Sequence, residues 1–426
     1  MTEAIAVRHA GFFDAGVAET DPELAAALAG ELARERSHIE LIASENLVSR
    51  AVLDTLGAVV NNKTLEGYPG ARFHGGGQFV DVAERAAIER ACTLFGCRFA
   101  NVQPHSGSQA NLAVFAALLA PGVTVMSMDL AAGGHLSHGA KANISGRWFN
   151  AVHYGVRRQD GRIDYEQAET IAREHRPKLI VAGGSSYPRA IDFARLRALA
   201  DEVGAWLLVD MAHFAALVAG GVHPHVFPHA HVATTTTTKT LRGPRGGIIL
   251  SNDAALAKQF DAAVFPGVQG SLHPQVIAAK AVCLGEALRP QFKLYARAVL
   301  DNARALAQAL SVAGWSVVSG GTDTPQVLLD VSAGALSGDA AEKRLDAAGI
   351  TCNKNPIPFD GRRPSQWKGV RLGVSAVTTR GFGIREMEQV AALIDRALRA
   401  ADNADAVRAE AAAICARFPI YHGRDL

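Results

Sequence analysis

The sequence predicts an α/β fold with a large domain, built on a mainly parallel sheet, and a smaller C-terminal α/β domain. Short apolar strands alternate with helical stretches from about Val80 onward, which is typical of a parallel sheet covered on both faces. A long helical run from Gln275 to about Ala313 interrupts the alternation, and a second strand–helix pattern follows it. The expected units are an N-terminal arm and helix over 1–37, a large domain over 38–290 and a small domain over 291–426.

The elements of the first two units follow from local patterns. Asp21-Pro22 opens a helix that runs through Arg36, because proline fits the first helical turn. Short apolar runs predict the strands of the large domain, and stretches with helical periodicity lie between them. The predicted strands are 100–103, 123–128, 179–182, 206–210, 232–238 and 247–250. The predicted helices include 81–94, 108–119 and 193–203.

The small domain restarts the same alternation after the long helical run. Its predicted strands are 315–319, 327–331 and 369–373, and its predicted helices are 338–348 and 384–401. The chain shows no internal repeat and no low-complexity tract apart from one run of threonines.

Composition favours a globular enzyme. The 426 residues include 43 basic and 41 acidic side chains, a balance that gives no reason to expect nucleic acid or an anionic membrane as partner. No run of about 18 apolar residues predicts a transmembrane helix. The five cysteines form no Cys-x-x-Cys pair, and the fifteen histidines show no metal-ligand spacing. Since the N-terminus also lacks the pattern of a secretion signal, we expect a cytoplasmic protein without a metal site.

Lys239 lies in the most informative segment, Ala233-Thr-Thr-Thr-Thr-Thr-Lys-Thr-Leu-Arg-Gly-Pro-Arg-Gly-Gly247. Five β-branched threonines predict an extended strand, and the Gly/Pro-containing stretch predicts a turn. An amine held at this junction is well placed to form an imine with an aldehyde, since burial or a nearby cation favours its free-amine form. The alternative is a surface lysine that merely follows a strand.

Other residues supply what such an imine chemistry needs. Ser106, Gly107 and Ser108 open a helix and can bind an anion such as a phosphate, although Ser-Gly-Ser is also a common helix cap. Asp210 ends a buried strand and can pair with a protonated pyridine nitrogen, or it caps the next segment. His213 and His135 are candidates to lie beside and against the same ring.

Arg371 lies inside an apolar strand, where an unpaired guanidinium is costly. A bidentate contact with the carboxylate of an amino-acid substrate explains it most simply. A core ion pair with a protein acid is the alternative. Lysine, aspartate, phosphate site and arginine together describe a site for pyridoxal 5'-phosphate and an amino acid.

Five long motifs carry a resemblance to one family across roughly residues 22–400. They are His38-Ile-Glu-Leu-Ile-Ala-Ser-Glu-Asn46, Glu66-Gly-Tyr-Pro-Gly70, Asn101-Val-Gln-Pro-His-Ser-Gly-Ser-Gln-Ala-Asn111, Val209-Asp-Met-Ala-His213 and Lys239-Thr-Leu-Arg-Gly-Pro-Arg-Gly-Gly247. The chain resembles serine hydroxymethyltransferase. The resemblance implies fold type I of pyridoxal-phosphate enzymes, with a seven-stranded sheet in the large domain. It also implies a homodimer with shared active sites, a tetramer remaining open, and tetrahydrofolate as a co-substrate.

The resemblance also implies roles for individual residues. Lys239 would hold the cofactor imine, Asp210 would pair with the pyridine nitrogen, and Glu66 would be the acid–base group at the hydroxymethyl carbon. Further cofactor contacts would come from Ser106, Gly107, Ser108, His135, Ser185, His213, Thr236 and, from the partner chain, Gly270. Substrate contacts would come from Ser44, Thr64, His74 and Arg371. Folate contacts would fall on Phe73, Leu130, Gly133, Gly134, Leu136 and Asn355.

The chain departs from the family pattern around the expected site. Thr64 and His74 stand where the family usually carries tyrosines, and Thr238 stands where it carries a histidine before the lysine. The segments Gly267-Val-Gln-Gly-Ser271 and Gln366-Trp-Lys-Gly369 also differ from the family's usual Gly-Gly-Gln-Gly-Gly and Thr-Ser-Gly. Smaller side chains vacate space, His74 can still act as acid or base, and Thr238 removes an imidazole beside the imine.

These changes suggest the hypothesis that the site accepts α-methylserine and releases D-alanine and a one-carbon unit. The unit would pass to tetrahydrofolate or leave as formaldehyde in a folate-independent aldolase reaction. Alternatives are a conventional serine-to-glycine enzyme, an aldolase for another aldehyde, and a low-activity paralogue that binds pyridoxal phosphate.

Overall fold

The computed structural model describes residues 12–361 and 363–423. The strands are β1 (Ile39–Glu40), β2 (Gly67–Tyr68), β3 (Ala71–Arg72), β4 (Phe99–Asn101), β5 (Thr124–Met128), β6 (Asn150–Tyr154), β7 (Leu179–Ala182), β8 (Trp206–Asp210), β9 (Val232–Thr236), β10 (Gly247–Ser251), β11 (Ser316–Val317), β12 (Gln326–Asp330), β13 (Ile350–Thr351), β14 (Asn353–Asn355) and β15 (Gly369–Gly373). The first helices are α1 (Val17–Thr20), α2 (Pro22–Ser37), α3 (Arg50–Leu56), α4 (Gln78–Phe95), α5 (Gly107–Leu118), α6 (Ile144–Trp148), α7 (Tyr165–His175) and α8 (Phe193–Val203). The remaining α-helices of the described chain are α9 (Ala215–Ala219), α10 (Ala254–Ala262), α11 (Pro274–Ala287), α12 (Pro290–Val312), α13 (Gly338–Ala347), α14 (Ser375–Arg380), α15 (Ile384–Arg399) and α16 (Ala404–Ala416).

A seven-stranded sheet organises the larger part of the molecule. Its strand order is β4-β10-β9-β8-β7-β5-β6, and β10 alone runs antiparallel to its neighbours. The predicted mainly parallel sheet is therefore confirmed. Because β10 is reversed, its first residue, Gly247, lies at the edge of the sheet where β4, β8 and β9 end. This is the edge at which open α/β sheets bind ligands.

Most predicted elements agree with the structure within a few residues, and α2 begins as expected, with the Asp21 side chain accepting from the N–H of Leu24 at 2.9 Å. The strand β6 was not predicted, because an edge strand with exposed Asn150 and His153 lacks the apolar run that marks β7 or β8.

Two predicted elements were wrong in extent. The threonine strand ends at Thr236, and Thr237 closes the turn that follows: its carbonyl accepts from the N–H of Gly243 at 2.8 Å, and its hydroxyl donates to the Pro244 carbonyl at 2.5 Å. These bonds start the turn that carries Lys239. The single helical run over 275–313 is two helices, α11 and α12, with Pro290 in the first turn of the second.

The C-terminal part contains an antiparallel sheet in the order β11-β12-β15-β14. The helices α12 and α15 pack against each other beside it. Val209 of β8 and Leu329 of β12 belong to one continuous buried apolar cluster, so the two sheets share a core. Among the described helices, none is both long and apolar enough to cross a membrane.

Candidate active site

A cavity of about 180 Å³ opens at the edge where the parallel strands end. An apolar cavity of about 150 Å³ can hold benzene, so this one has room for a six-membered ring. Its lining includes eleven of the predicted site residues: Ser44, Ser106, Gly107, Ser108, His135, Ser185, Asp210, His213, Thr236, Thr238 and Lys239. Gly184, Ala212 and Arg245, which the sequence did not indicate as site residues, line it as well.

Asp210 is anchored at the end of β8 by a hydrogen-bond network. Its Oδ2 accepts from Asn111 Nδ2 at 2.9 Å and lies 2.9 Å from His138 Nε2. Its Oδ1 accepts from the N–H of Ala212 at 3.1 Å. Burial acts to raise the pKa of Asp210, but His138, His135 and the Asn111 amide together hold it well below its usual range. The carboxyl is therefore a buried anion at neutral pH.

Lys239 follows β9 in the turn closed by Thr237. Its backbone carbonyl accepts from Asn46 Nδ2 at 2.8 Å, which fixes the start of the side chain. Burial lowers the pKa of the Lys239 amine to about 8, with Asp210 opposing and Arg371 and Arg245 adding to the shift. Compared with an exposed lysine, a larger share of this amine is unprotonated and nucleophilic near neutral pH.

A cradle that could hold an anion lies at the start of α5. Ser106 caps the helix, with its Oγ accepting from the N–H of Gln109 at 3.2 Å, and Gly107 and Ser108 occupy the first turn, whose N–H groups have no intrahelical acceptor. A Cβ on Gly107 would lie 2.5 Å from Thr236 Cγ2, so glycine is required there. Thr236 lines the cavity, and its buried hydroxyl has no hydrogen-bond partner among the described residues.

Two histidines at the cavity are electrically neutral. Burial, with His138 adding to the effect, lowers the pKa of His135 to about 4. His135 Nδ1 accepts from the N–H of Ser137 at 3.2 Å and lies 2.7 Å from the Ser137 hydroxyl, which orients the ring. Burial and the charge of Lys239 hold the pKa of His213 well below its usual value. Both rings can therefore contact a ligand ring without adding positive charge.

Arg371 extends from β15 toward Ser185, which lines the cavity. Its Nη1 donates to the Ser185 carbonyl at 2.7 Å, and its Nε donates to Asn353 Oδ1 at 3.2 Å. Burial lowers its pKa to about 10, so it stays charged at neutral pH. No carboxylate of residues 12–361 or 363–423 forms an ion pair with it, so the alternative of a core ion pair is not observed. The guanidinium is oriented by neutral acceptors and can bind a ligand carboxylate.

A second group of predicted residues lies apart from this cavity. Thr64, Glu66, His74 and Gly270 do not contribute to its lining, and Thr64, His74 and Gly270 are exposed. Glu66 Oε1 lies 3.6 Å from the position of a Cβ built on Gly270, so these two positions are neighbours. Phe73 is 76% exposed and contacts the Phe265 ring, with the ring centroids 5.5 Å apart. One chain thus brings together only part of the predicted site.

The predicted folate contacts other than Phe73 lie in two segments, 130–136 and the strand β14. Leu130 and Leu136 are partly exposed, whereas Gly133 and Gly134 between them are buried. Gly133 adopts a φ of +118°, and a Cβ there would lie 2.6 Å from the Tyr187 nitrogen, so backbone packing alone explains this glycine. Asn355 is buried at the end of β14, and its Nδ2 donates to the Pro356 carbonyl at 2.7 Å.

Sequence reasoning missed the residues that hold Asp210. Asn111 Nδ2 also contacts Ser137 Oγ, and Asn111 Oδ1 accepts from the Thr234 hydroxyl at 2.7 Å. Asn111 ends one of the quoted motifs, and His138 lies two residues after Leu136, and those positions were the available signal. Their own roles depend on contacts with residues 99 and 72 positions away, which no local pattern reveals.

Replacement of His138 by leucine is expected to lower the free energy of unfolding by about 2 kcal/mol, because Asp210 loses a buried hydrogen bond to a charged acceptor. Chemical denaturation at pH 7 measures the change. His175→Leu, at an exposed position in the last turn of α7, is the matched control and should change stability by less than about 0.5 kcal/mol. Equal effects of the two substitutions would contradict the role of His138.

Comparisons with known proteins agree on one family. The sequence profile described as "Serine hydroxymethyltransferase" matches residues 17–394. The chain is 60% identical over 418 residues to a protein named serine hydroxymethyltransferase from Paramagnetospirillum magneticum, covering 96% of this chain and 98% of the relative. It is 59% identical over 419 residues to one of the same name from Methylorubrum extorquens, covering 96% of each. It is also 60% identical over 416 residues to a protein named 2-methylserine hydroxymethyltransferase from an Aminobacter species, covering 96% and 98%.

Proposed function

The chain belongs to the serine hydroxymethyltransferase family, and from that premise we propose that it cleaves α-methylserine to D-alanine with transfer or release of the hydroxymethyl unit. The family has fold type I, and the chain is a pyridoxal-phosphate-dependent hydroxymethyltransferase. The main support for this function is one cavity that Lys239, Asp210 and the cradle at α5 share, with Arg371 beside it.

The residues of the cavity fit pyridoxal 5'-phosphate. The unpartnered hydroxyl of Thr236 and the first turn of α5 suit a phosphate group. The buried anion of Asp210 suits a protonated ring nitrogen, and the amine of Lys239 suits an aldehyde. When bound, this cofactor supplies an electron-withdrawing ring that stabilises negative charge developing on Cα of an amino acid.

The other residues bind substrate and hold protons. Arg371, oriented by Ser185 and Asn353, would bind the substrate carboxylate. Glu66 would hold a proton at the hydroxymethyl oxygen. In α-methylserine, Cα carries no hydrogen, so the reaction must begin with cleavage of the bond between Cα and the hydroxymethyl carbon. Protonation of Cα then yields alanine, and the carbon that leaves is at the oxidation level of formaldehyde.

Thr64 and His74 support the α-methyl substrate over serine. They are smaller than the tyrosines expected at these positions and lie in the same region as Glu66. An extra methyl group is worth about 1–3 kcal/mol when a site has room for it. The 60% identity to the Aminobacter protein named 2-methylserine hydroxymethyltransferase supports the same substrate. Serine is the second candidate, favoured by the two relatives named serine hydroxymethyltransferase.

The separation of the two residue groups supports a homodimer with shared sites. Glu66 and Gly270 are neighbours on one chain but do not line that chain's own cavity. Two chains related by twofold symmetry could each present this group to the cavity of the other. Each active site would then contain Lys239 of one chain and Glu66 of its partner.

The kcat/KM for α-methylserine is expected to exceed that for serine by roughly tenfold, because the site accommodates the methyl group. Turnover of each amino acid is measured with saturating pyridoxal 5'-phosphate, with and without tetrahydrofolate. Activity without folate would identify release as formaldehyde. A clear preference for serine with strict folate dependence would overturn the α-methylserine proposal.

A pair of variants tests the structural reason for this preference. Thr64→Tyr with His74→Tyr should lower kcat/KM for α-methylserine by at least about tenfold while largely preserving that for serine. Thr93→Tyr with His175→Tyr, at exposed positions on α4 and α7, is the matched control and should change neither value. If both pairs leave the ratio unchanged, Thr64 and His74 do not determine the preference.

A further inference from the structure

Lys280 of α11 is a completely buried lysine that the proposed function does not use. Its Nζ donates to three backbone carbonyls, those of Val102 at 2.6 Å, Pro104 at 3.0 Å and Gly247 at 2.9 Å. Burial lowers the pKa of this amine to about 7, and the Glu84 carboxylate opposes the shift. Three acceptors around one nitrogen favour the ammonium form, because only that form has three N–H donors.

These carbonyls lie in the two segments beneath the cradle. Val102 and Pro104 follow β4 and lead directly to Ser106, and Gly247 begins β10. The two segments also contact each other, since the N–H of Gly247 donates to the Pro104 carbonyl at 2.9 Å. Lys280 therefore joins the end of one strand to the start of another at the point where the cradle begins.

Gln269 also holds the loop that leads into the cradle. Its Oε1 accepts from the N–H of His105 at 3.0 Å, and its Nε2 donates to the Gln103 carbonyl at 3.2 Å. Burial lowers the pKa of His105, the residue before Ser106, and His273 and Lys280 add to this shift. The peptide groups that lead into the cradle thus have fixed partners and little freedom to move.

Lys280 also explains part of the glycine motif after Lys239. A Cβ on Gly246 would lie 2.7 Å from Lys280 Nζ and even closer to its Cε, and a Cβ on Gly247 would collide with the Ser106 carbonyl. The motif therefore keeps space for the ammonium group and for close approach of β10 to the cradle.

We propose that Lys280 is a positioning residue for the cofactor phosphate: its buried ammonium fixes the backbone on which the Ser106–Ser108 cradle is built. The inference rests on the proposed function, since it takes the bound anion to be the phosphate of pyridoxal 5'-phosphate. Lys280 has no predicted contact with substrate or cofactor and acts through the loop. Loss of Lys280 should therefore weaken the binding of the phosphate group, which is the part of the cofactor that the loop would bind.

The full-length protein, freed of cofactor, is titrated with pyridoxal 5'-phosphate and with pyridoxal, which lacks the phosphate. Wild type should bind the phosphate ester far more tightly. In Lys280→Met, the ratio of the two affinities should fall by roughly tenfold or more, with pyridoxal binding nearly unchanged, because the cradle loses its geometry. Asn302→Leu is the control, since Asn302 is also buried and donates to Thr378 Oγ1 and the Phe382 carbonyl far from the cradle. It should lower stability without changing the ratio.

Gly246→Ala provides a second test that keeps the lysine and displaces its ammonium group. A reduced ratio in Lys280→Met and Gly246→Ala supports the inference. An unchanged ratio in a folded Lys280→Met variant overturns it, and if that variant does not fold, an unchanged ratio in Gly246→Ala does so. Failure of wild type to prefer the phosphate ester would instead contradict the proposed function.

Discussion

Replacement of Asp210 by asparagine is expected to reduce kcat by roughly a thousandfold. Enzymes lose rate on this scale when an electrostatic group fixed at the reaction centre is removed. Asparagine preserves the shape of the side chain but not the negative charge that Asn111 and His138 stabilise. A ring nitrogen beside it would lose the partner that keeps it protonated. The measurement is kcat with the preferred amino acid at saturating pyridoxal 5'-phosphate.

Asp201→Asn is the matched control for this prediction. Asp201 lies exposed on α8, where its carboxylate pairs with Arg197 at 2.8 Å. Surface ion pairs contribute little, so kcat should remain within about twofold of wild type. A loss of less than tenfold in Asp210→Asn would mean that the buried anion is not the partner of the cofactor ring.

Replacement of Lys239 by alanine is expected to abolish nearly all turnover, with a loss of at least about ten-thousandfold, as for the removal of other catalytic nucleophiles. The cradle remains, so the variant should still bind pyridoxal 5'-phosphate, but with the absorbance spectrum of the free aldehyde. Lys258→Ala, at an exposed position on α10, should retain wild-type activity and spectrum. If Lys239→Ala retains more than about a hundredth of wild-type activity, this amine is not the nucleophile.

The same variant tests the shared active site. Inactive Lys239→Ala chains and inactive Glu66→Gln chains are unfolded and refolded together. Random pairing makes about half of the dimers hybrids. If each site combines Lys239 of one chain with Glu66 of the other, a hybrid has one intact site of two, and about a quarter of wild-type activity returns. No recovery in the mixture would indicate that Lys239 and Glu66 of the same chain act together.

Much of the fold could be predicted because it depends on local patterns. The apolar runs at β7, β8 and β15 and the helical periodicity of α8 identified these elements with the bounds that the structure has. The proline after Asp21 identified the start of α2. The meeting of Lys239, Asp210 and Ser106 at one cavity could also be predicted, since each lies near the end of a strand or the start of a helix. Edge strand β6 could not, because half of its surface faces solvent and its residues are mixed.

The sequence by itself therefore determined the α/β architecture, the family and the candidate site residues, because these follow from short-range periodicity and contiguous motifs. Only the tertiary structure decided how the groups are held. It brought His138 and Asn111 to Asp210, reversed β10 so that Gly247 lies under the cradle, and placed Lys280 beneath both. The physical reason is that a buried charge must find hydrogen-bond partners wherever the fold supplies them. The side-chain partners of Asp210 and the carbonyl partners of Lys280 are 33 to 178 residues away along the chain.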